Sequence, residues 1–213
     1  MRCVRLGLAI LSFLILPVAS SATVIGACET DLPGLCTKSV DINPAGTQFT
    51  IVLTNTSPSA NGGFITADAF NLPGTLSATL ASTTNSSFTL IAGDIKVVPV
   101  TPVRELLLTT DPSPNANNSF EGGGSPNGGI AAGSSATFIL NITGGTLTDT
   151  LANESSIFTS QVIRFRGFSD GGSDKDLTIL VTPDPTPVPE AASFLLLGAG
   201  LIAVRIVIKT TKG

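Results

Sequence analysis

The chain contains no histidine, no tyrosine and no tryptophan among its 213 residues. Without an imidazole no Ser-His-Asp or Cys-His arrangement can be built, no imidazole is available as a general base near neutral pH, and no histidine-based zinc site can form. The missing Tyr and Trp matter as well, because sugar-binding surfaces commonly stack rings on exposed aromatics. The eleven Phe residues are the only aromatics left, and they are assigned to the core and the leader rather than to a binding platform. Charge is scarce too, at 12% Asp, Glu, Lys and Arg. Between residues 23 and 182 the basic residues are Lys38, Lys96, Arg104, Arg164, Arg166 and Lys175, against thirteen carboxylates. That acidic balance disfavours nucleic acid and anionic membrane surfaces as partners, since both require basic patches.

The two ends carry the long apolar runs, and the positive mean hydropathy comes partly from them. Arg2 and Arg5 precede an apolar stretch at 6–16, and Ser20, Ser21 and Ala22 supply the small residues that a signal peptidase needs. This predicts a signal peptide over 1–22, cleaved after Ala22. Cleavage removes Cys3 and leaves Cys28 and Cys36. In an oxidising compartment two cysteines point to one bridge, with the intervening Leu32-Pro33-Gly34 as a turn. No third ligand cluster lies near them to favour a metal or redox pair.

The other end reads VPEA, ASFLLLGAGLIAV and RIVIKTTKG, after a Pro-rich stretch at 182–189. The apolar run with its extension, 191–208, spans roughly 27 Å as a helix, slightly short of a hydrocarbon core of about 30 Å. Arg205 can snorkel to the interface, and with Lys209 and Lys212 it holds the C-terminus on the cytoplasmic side. A linker over 183–190 and a transmembrane helix with basic tail over 191–213 follow. Val188, Pro189 and Glu190, the Leu/Gly-rich helix and the basic end together resemble the PEP-CTERM sorting signal of Gram-negative bacteria, with Ala191 in place of the usual second proline. The resemblance implies processing by an exosortase in the inner membrane. It also implies a role at the cell surface or in the extracellular polysaccharide matrix; the chain itself is expected to be non-enzymatic and to need no cofactor, calcium apart.

The body, 23–182, is rich in Thr, Ser, Asn, Gly and Val, with short apolar runs and no long 3.6-residue period. This is an all-β pattern. Strands are predicted at 48–54, 63–70, 76–80, 87–91, 95–98, 104–109, 136–142, 161–168 and 177–181, separated by SPSANGG, NLPG, TTNS, IAGD, TGG and SDGGS. Nine strands so spaced predict an antiparallel two-sheet sandwich forming one domain. At 161–168, Ile163 and Phe165 fall on one face and Arg164 and Arg166 on the other, where the arginines are expected at the surface. The segment 111–133, dense in Pro, Asn and Gly, is expected to be a long exposed loop. The segments GTQFTIVLTNTSP, GGFITADAFNLPG and VIRFRGFSDGGSDK also resemble the secreted β-sandwich bodies that accompany this type of tail.

Candidate chemistry is sparse. Asp170, Asp174 and Asp176 cluster on a glycine-rich turn and could offer hard oxygen ligands to calcium, although the spacing is not that of an EF-hand. The bland alternative is a hydrophilic turn. Asp68, Asp94, Glu105, Asp149 and Glu154 could supply carboxylates for glycoside hydrolysis only if two converged in a cleft, and solubility is their expected role. Glu121-Gly122-Gly123-Gly124-Ser125 lacks the lysine of a phosphate-binding loop. Asn-x-Ser/Thr occurs at Asn55, Asn85, Asn117, Asn141 and Asn153. The leading expectation is an exported non-enzymatic surface or matrix protein. The alternatives are a permanently anchored calcium- or carbohydrate-binding adhesin module and a carboxylate hydrolase.

Overall fold

A computed structural model describes residues 24–28, 33–97, 100–111, 120, 126–148, 153, 157 and 161–181. The signal-peptide residues, the sorting motif Val188, Pro189 and Glu190, and the basic residues Arg205, Lys209 and Lys212 lie outside the described residues. Among the described residues no helix is long and apolar enough to cross a membrane.

The described chain is all-β and forms two antiparallel sheets. Its strands are β1 Val24–Cys28, β2 Cys36–Ile42, β3 Gln48–Asn55, β4 Gly62–Phe70, β5 Ser77–Thr83, β6 Thr89–Val97, β7 Val100–Thr109, β8 Ile130–Ala131, β9 Ser135–Thr143, β10 Val162–Phe168 and β11 Ser173–Val181. The first sheet runs β5-β9-β3-β2-β1 and the second runs β10-β4-β7-β6, with β8 added to β4. β11 joins them. Its N-terminal half pairs with β10, from Ser173 opposite Arg166 to Leu177 opposite Val162. Its C-terminal half pairs with β1, from Thr178 opposite Cys28 to Val181 opposite Ile25.

Alternation builds the first sheet. In β3, Phe49, Ile51 and Leu53 are buried while the intervening side chains are half-buried. β9 repeats this with Ala136, Phe138, Leu140 and Ile142. Those inward residues meet Ile65, Phe70, Leu106, Leu108, Ile163 and Phe165 of the second sheet in one core. Two edge-to-face ring contacts, Phe49 with Phe70 and Phe88 with Phe138, lock it further, a geometry that suits the aromatic quadrupole.

Several expectations are corrected. β1 and β2 are strands that the sequence reading does not predict: VIGAC is too short a run to show a period of two, and in CTKSVDI a lysine stands on the apolar phase. The strands expected at 87–91 and 95–98 form one strand, β6. The IAGD segment between them holds a register shift between Ala92 and Ile95, not a chain reversal, with Gly93 at φ 140°. A glycine inside a strand marks such a bulge. The segment 111–133 is not wholly an exposed loop, for Phe120 and Ile130 are buried and β8 adds to the sheet.

Candidate functional site

The least expected feature is a lysine and an aspartate buried between the sheets. Burial alternates along β2, so Lys38 lies in phase with Cys36, Val40 and Ile42 and points into the core. Opposite it in β1 stands Gly26, which carries no side chain. Asp68 reaches the same space from β4 by another route. Arg164 pairs with Ala67 but Phe165 pairs with Ile65, so Thr66 is an extra residue, a β-bulge. The bulge reverses the phase of the strand, and Asp68 turns inward beside Leu108 and Ile163. The displaced carbonyl of Thr66 accepts a hydrogen bond from Thr110 N at 3.0 Å.

Lys38 Nζ donates to Asp68 Oδ2 at 2.5 Å, and both side chains are 0% exposed. The ammonium also lies 4.8 Å from the centre of the Phe70 ring, within cation–π range. Asp68 Oδ1 is buried with no hydrogen-bond partner among the described residues. Burial pushes the Lys38 amine below its ordinary pKa, opposed by the charge of Asp68. It likewise pushes the Asp68 carboxyl up, opposed by Lys38. Both shifts favour neutral forms, as desolvation of charge requires. Asp68 is therefore not a solubility residue.

Close by, Cys28 and Cys36 form the expected disulfide, with Cα atoms 5.0 Å apart and both residues buried. It staples β1 to β2 two residues from Lys38. Gly34, inside the bridged loop, packs directly on Phe165; a Cβ there would come within 2.5 Å of the ring. Asn55 closes the other end of β3. Its buried amide donates to Gly63 O at 3.1 Å and Ile130 O at 2.9 Å, and its Oδ1 accepts from Ser57 N at 3.1 Å. With that nitrogen engaged and enclosed, Asn55 is excluded as a glycan acceptor in the folded protein.

The outer face of the second sheet departs from expectation too. Arg164 lies on that face, yet it is buried rather than solvated. Its guanidinium donates to Phe120 O and sits 6.0 Å from the centre of the Phe120 ring. Phe120 itself joins Ala67, Ala69, Ile95, Val97, Leu107 and Val162 in a second, separate apolar cluster. Arg166 is half-buried.

The acidic turn is dispersed where it is described. Asp170 Oδ1 accepts from Gly172 N at 2.8 Å, closing the turn on itself. Asp174 lies in β11 opposite Phe165; its Oδ1 accepts from Lys175 N at 2.8 Å and its Oδ2 from Gly34 N at 3.4 Å. Asp176 stands opposite Ile163 and its side chain lies outside the described residues. Among the described residues no three His, Cys, Asp or Glu side chains are grouped to hold a metal. Of the carboxylates weighed for hydrolysis, Asp94 is exposed, Asp68 is held by Lys38, and Asp149 and Glu154 lie outside the described residues. The segment 121–125 lies outside them as well.

The architecture defines a two-sheet β-domain stapled by one disulfide and one buried polar pair. No protein-family model matches the chain, and no curated protein matches its sequence. Among solved structures, one similar chain is a biomass-sensing module from an Rsgi-like protein of Clostridium thermocellum, described as resembling the family 3 carbohydrate-binding module of the cellulosome. It is 8% identical with a TM-score of 0.28, over 69% of this chain and 93% of that one. Another is a CBM3 of Hungateiclostridium clariflavum, 10% identical with a TM-score of 0.24, over 78% of this chain and 99% of that one. Likenesses of this size assign the chain neither a ligand nor a family.

Proposed function

We propose that this chain is an exported, non-enzymatic component of the cell surface or extracellular polysaccharide matrix of a Gram-negative bacterium. The observation that carries the reading is the Cys28–Cys36 bridge, which joins the first two strands of the β-domain. Such structural disulfides persist in oxidising, extracytoplasmic compartments. The polar interior agrees with a structural role: Lys38, Asp68 and Asn55 are used to tie strands together rather than to line a cleft.

In this reading a signal peptidase removes 1–22 and the tail holds the protein briefly in the inner membrane. An exosortase then processes it at Val188-Pro189-Glu190, with Arg205, Lys209 and Lys212 stopping full translocation. The body is delivered outward, where polysaccharide is its proposed partner. The test is the mass of the surface form. Removal of 191–213 is expected, and Glu190→Ala is expected to trap the protein in the inner membrane with its body folded. Finding the complete tail on the surface form would replace sorting by permanent anchoring.

A further inference from the structure

The buried pair has the composition and placement of an unfinished covalent bond. A primary amine and a carboxyl meet at 2.5 Å, on strands of opposite sheets, with both side chains sealed from solvent. Water, which would otherwise solvate the ions and reverse a condensation, is excluded from the contact. Asp68 Oδ1 has no donor among the described residues to steady a negative charge, and a buried carboxylate so placed is costly as an anion. We propose that Lys38 and Asp68 condense to an amide, an intramolecular cross-link that ties β2 to β4 through the core.

The chemistry balances without any further reagent. A proton moves from Nζ to Oδ2 along the existing hydrogen bond, leaving a neutral amine and a carboxylic acid; burial favours this direction for both groups. The Nζ lone pair then attacks Cγ. The Cγ–Oδ2 bond breaks, and the Oδ2 hydroxyl departs as water with one of the two amine hydrogens, while the other stays on the amide nitrogen. Oδ1 becomes the amide oxygen. Holding the partners in contact makes the step unimolecular, and effective molarities of about 10⁵–10⁸ M have this origin. The cross-link deepens the proposed role as a surface component but does not depend on it, because condensation requires only the folded core.

Digestion tests it. No lysine or arginine lies between 38 and 96, so trypsin acting on the reduced, denatured full chain should release 39–96 if Lys38 is free. With the cross-link, cleavage after Lys38 is lost. Residues 38 and 68 then remain in one product, lighter than its sequence by one water, and fragmentation locates the branch between them. Asp68→Asn is expected to give a product of identical mass, since it condenses with loss of ammonia. Lys38→Arg should restore both cleavage and full mass. Recovery of unmodified 39–96 from the wild type overturns the proposal. So does a water loss that persists in Lys38→Arg, which would place the dehydration at another residue. Neither result bears on export, which is read from the tail.

Discussion

The two sheets solve burial differently. In the first, each strand has one wet face and one dry face, as in β2, β3 and β9. In the second, β4 from Ile65 to Phe70 and β10 from Val162 to Phe165 are buried on both faces, because Phe120 and its neighbours cover the outside. One sheet therefore closes the core and the other serves as a middle layer between two apolar clusters. The difference teaches where polar groups can be placed: β4 and β10 offer no free face at Asp68 or Arg164, so each side chain is engaged inside the protein.

The sharpest way to break this arrangement is to remove one half of the inter-sheet pair. Lys38→Met is expected to cost about 3–5 kcal/mol, because it leaves a lone acid in the core; equilibrium denaturation measures it. The pH dependence then has a definite sign. With the folded-state pKa of Asp68 raised by burial, the folded form holds its proton more tightly. Stability is greatest below the ordinary carboxylate pKa and falls as pH rises toward the folded value. The lysine side runs the other way. In Asp68→Leu the depressed amine pKa means stability rises with pH, from the folded value toward the ordinary lysine pKa. The double variant Lys38→Met with Asp68→Leu is expected to be less destabilised than either single change.

The comparison of faces is tested next by truncation. Leu107 and Leu108 point to opposite faces of β7, and both are buried. Each change to Ala is expected to cost about 2–5 kcal/mol. In the first sheet the faces should differ: Leu53→Ala falls in the same range, whereas Val52→Ala, on the half-buried face, should cost under about 1 kcal/mol. Equal losses at Val52 and Leu53 would mean that the first sheet is covered on both sides as well.

Smaller effects follow at the polar ties. Asn55→Ala strands the carbonyls of Gly63 and Ile130 and is expected to cost about 1–3 kcal/mol by thermal or chemical melting. Asp174→Asn, which weakens only a 3.4 Å contact to Gly34, should stay within about 0.5 kcal/mol. A much larger loss there would show that the bridged loop depends on β11 for its position.

The sheets also differ in how far they could be read from residues alone. β3 and β9 were legible because Phe49, Ile51 and Leu53, and Phe138 and Leu140, keep a strict period of two against polar neighbours. β10 was half legible: Ile163 and Phe165 were placed on the inner face, but a strand wet on its other side was assumed, and only the fold brings Phe120 over Arg164. β4 was misleading in phase. Ile65, Ala67 and Ala69 suggest one inward face, which puts Asp68 outside; the bulge at Thr66 reverses this, and no local residue pattern announces it. β2 did carry a signal that went unused. In CTKSVDI, Lys38 stands in register with Cys36, Val40 and Ile42, and a lysine on an apolar phase calls for a buried acid. Its partner, 30 residues away in sequence, could be named only from the packing.

Among the described residues β11 is the last strand in sequence, yet it is the strand that both sheets share. While the chain is being synthesised N-terminus first, β1 and β10 each wait with an open hydrogen-bonding edge until residues 173–181 emerge. Exposed edges of this kind recruit other strands, so every incomplete copy is a sticky copy. Completion depends on a segment that arrives just ahead of the Pro-rich stretch. Crowding during synthesis is then a condition under which this domain is exposed to loss.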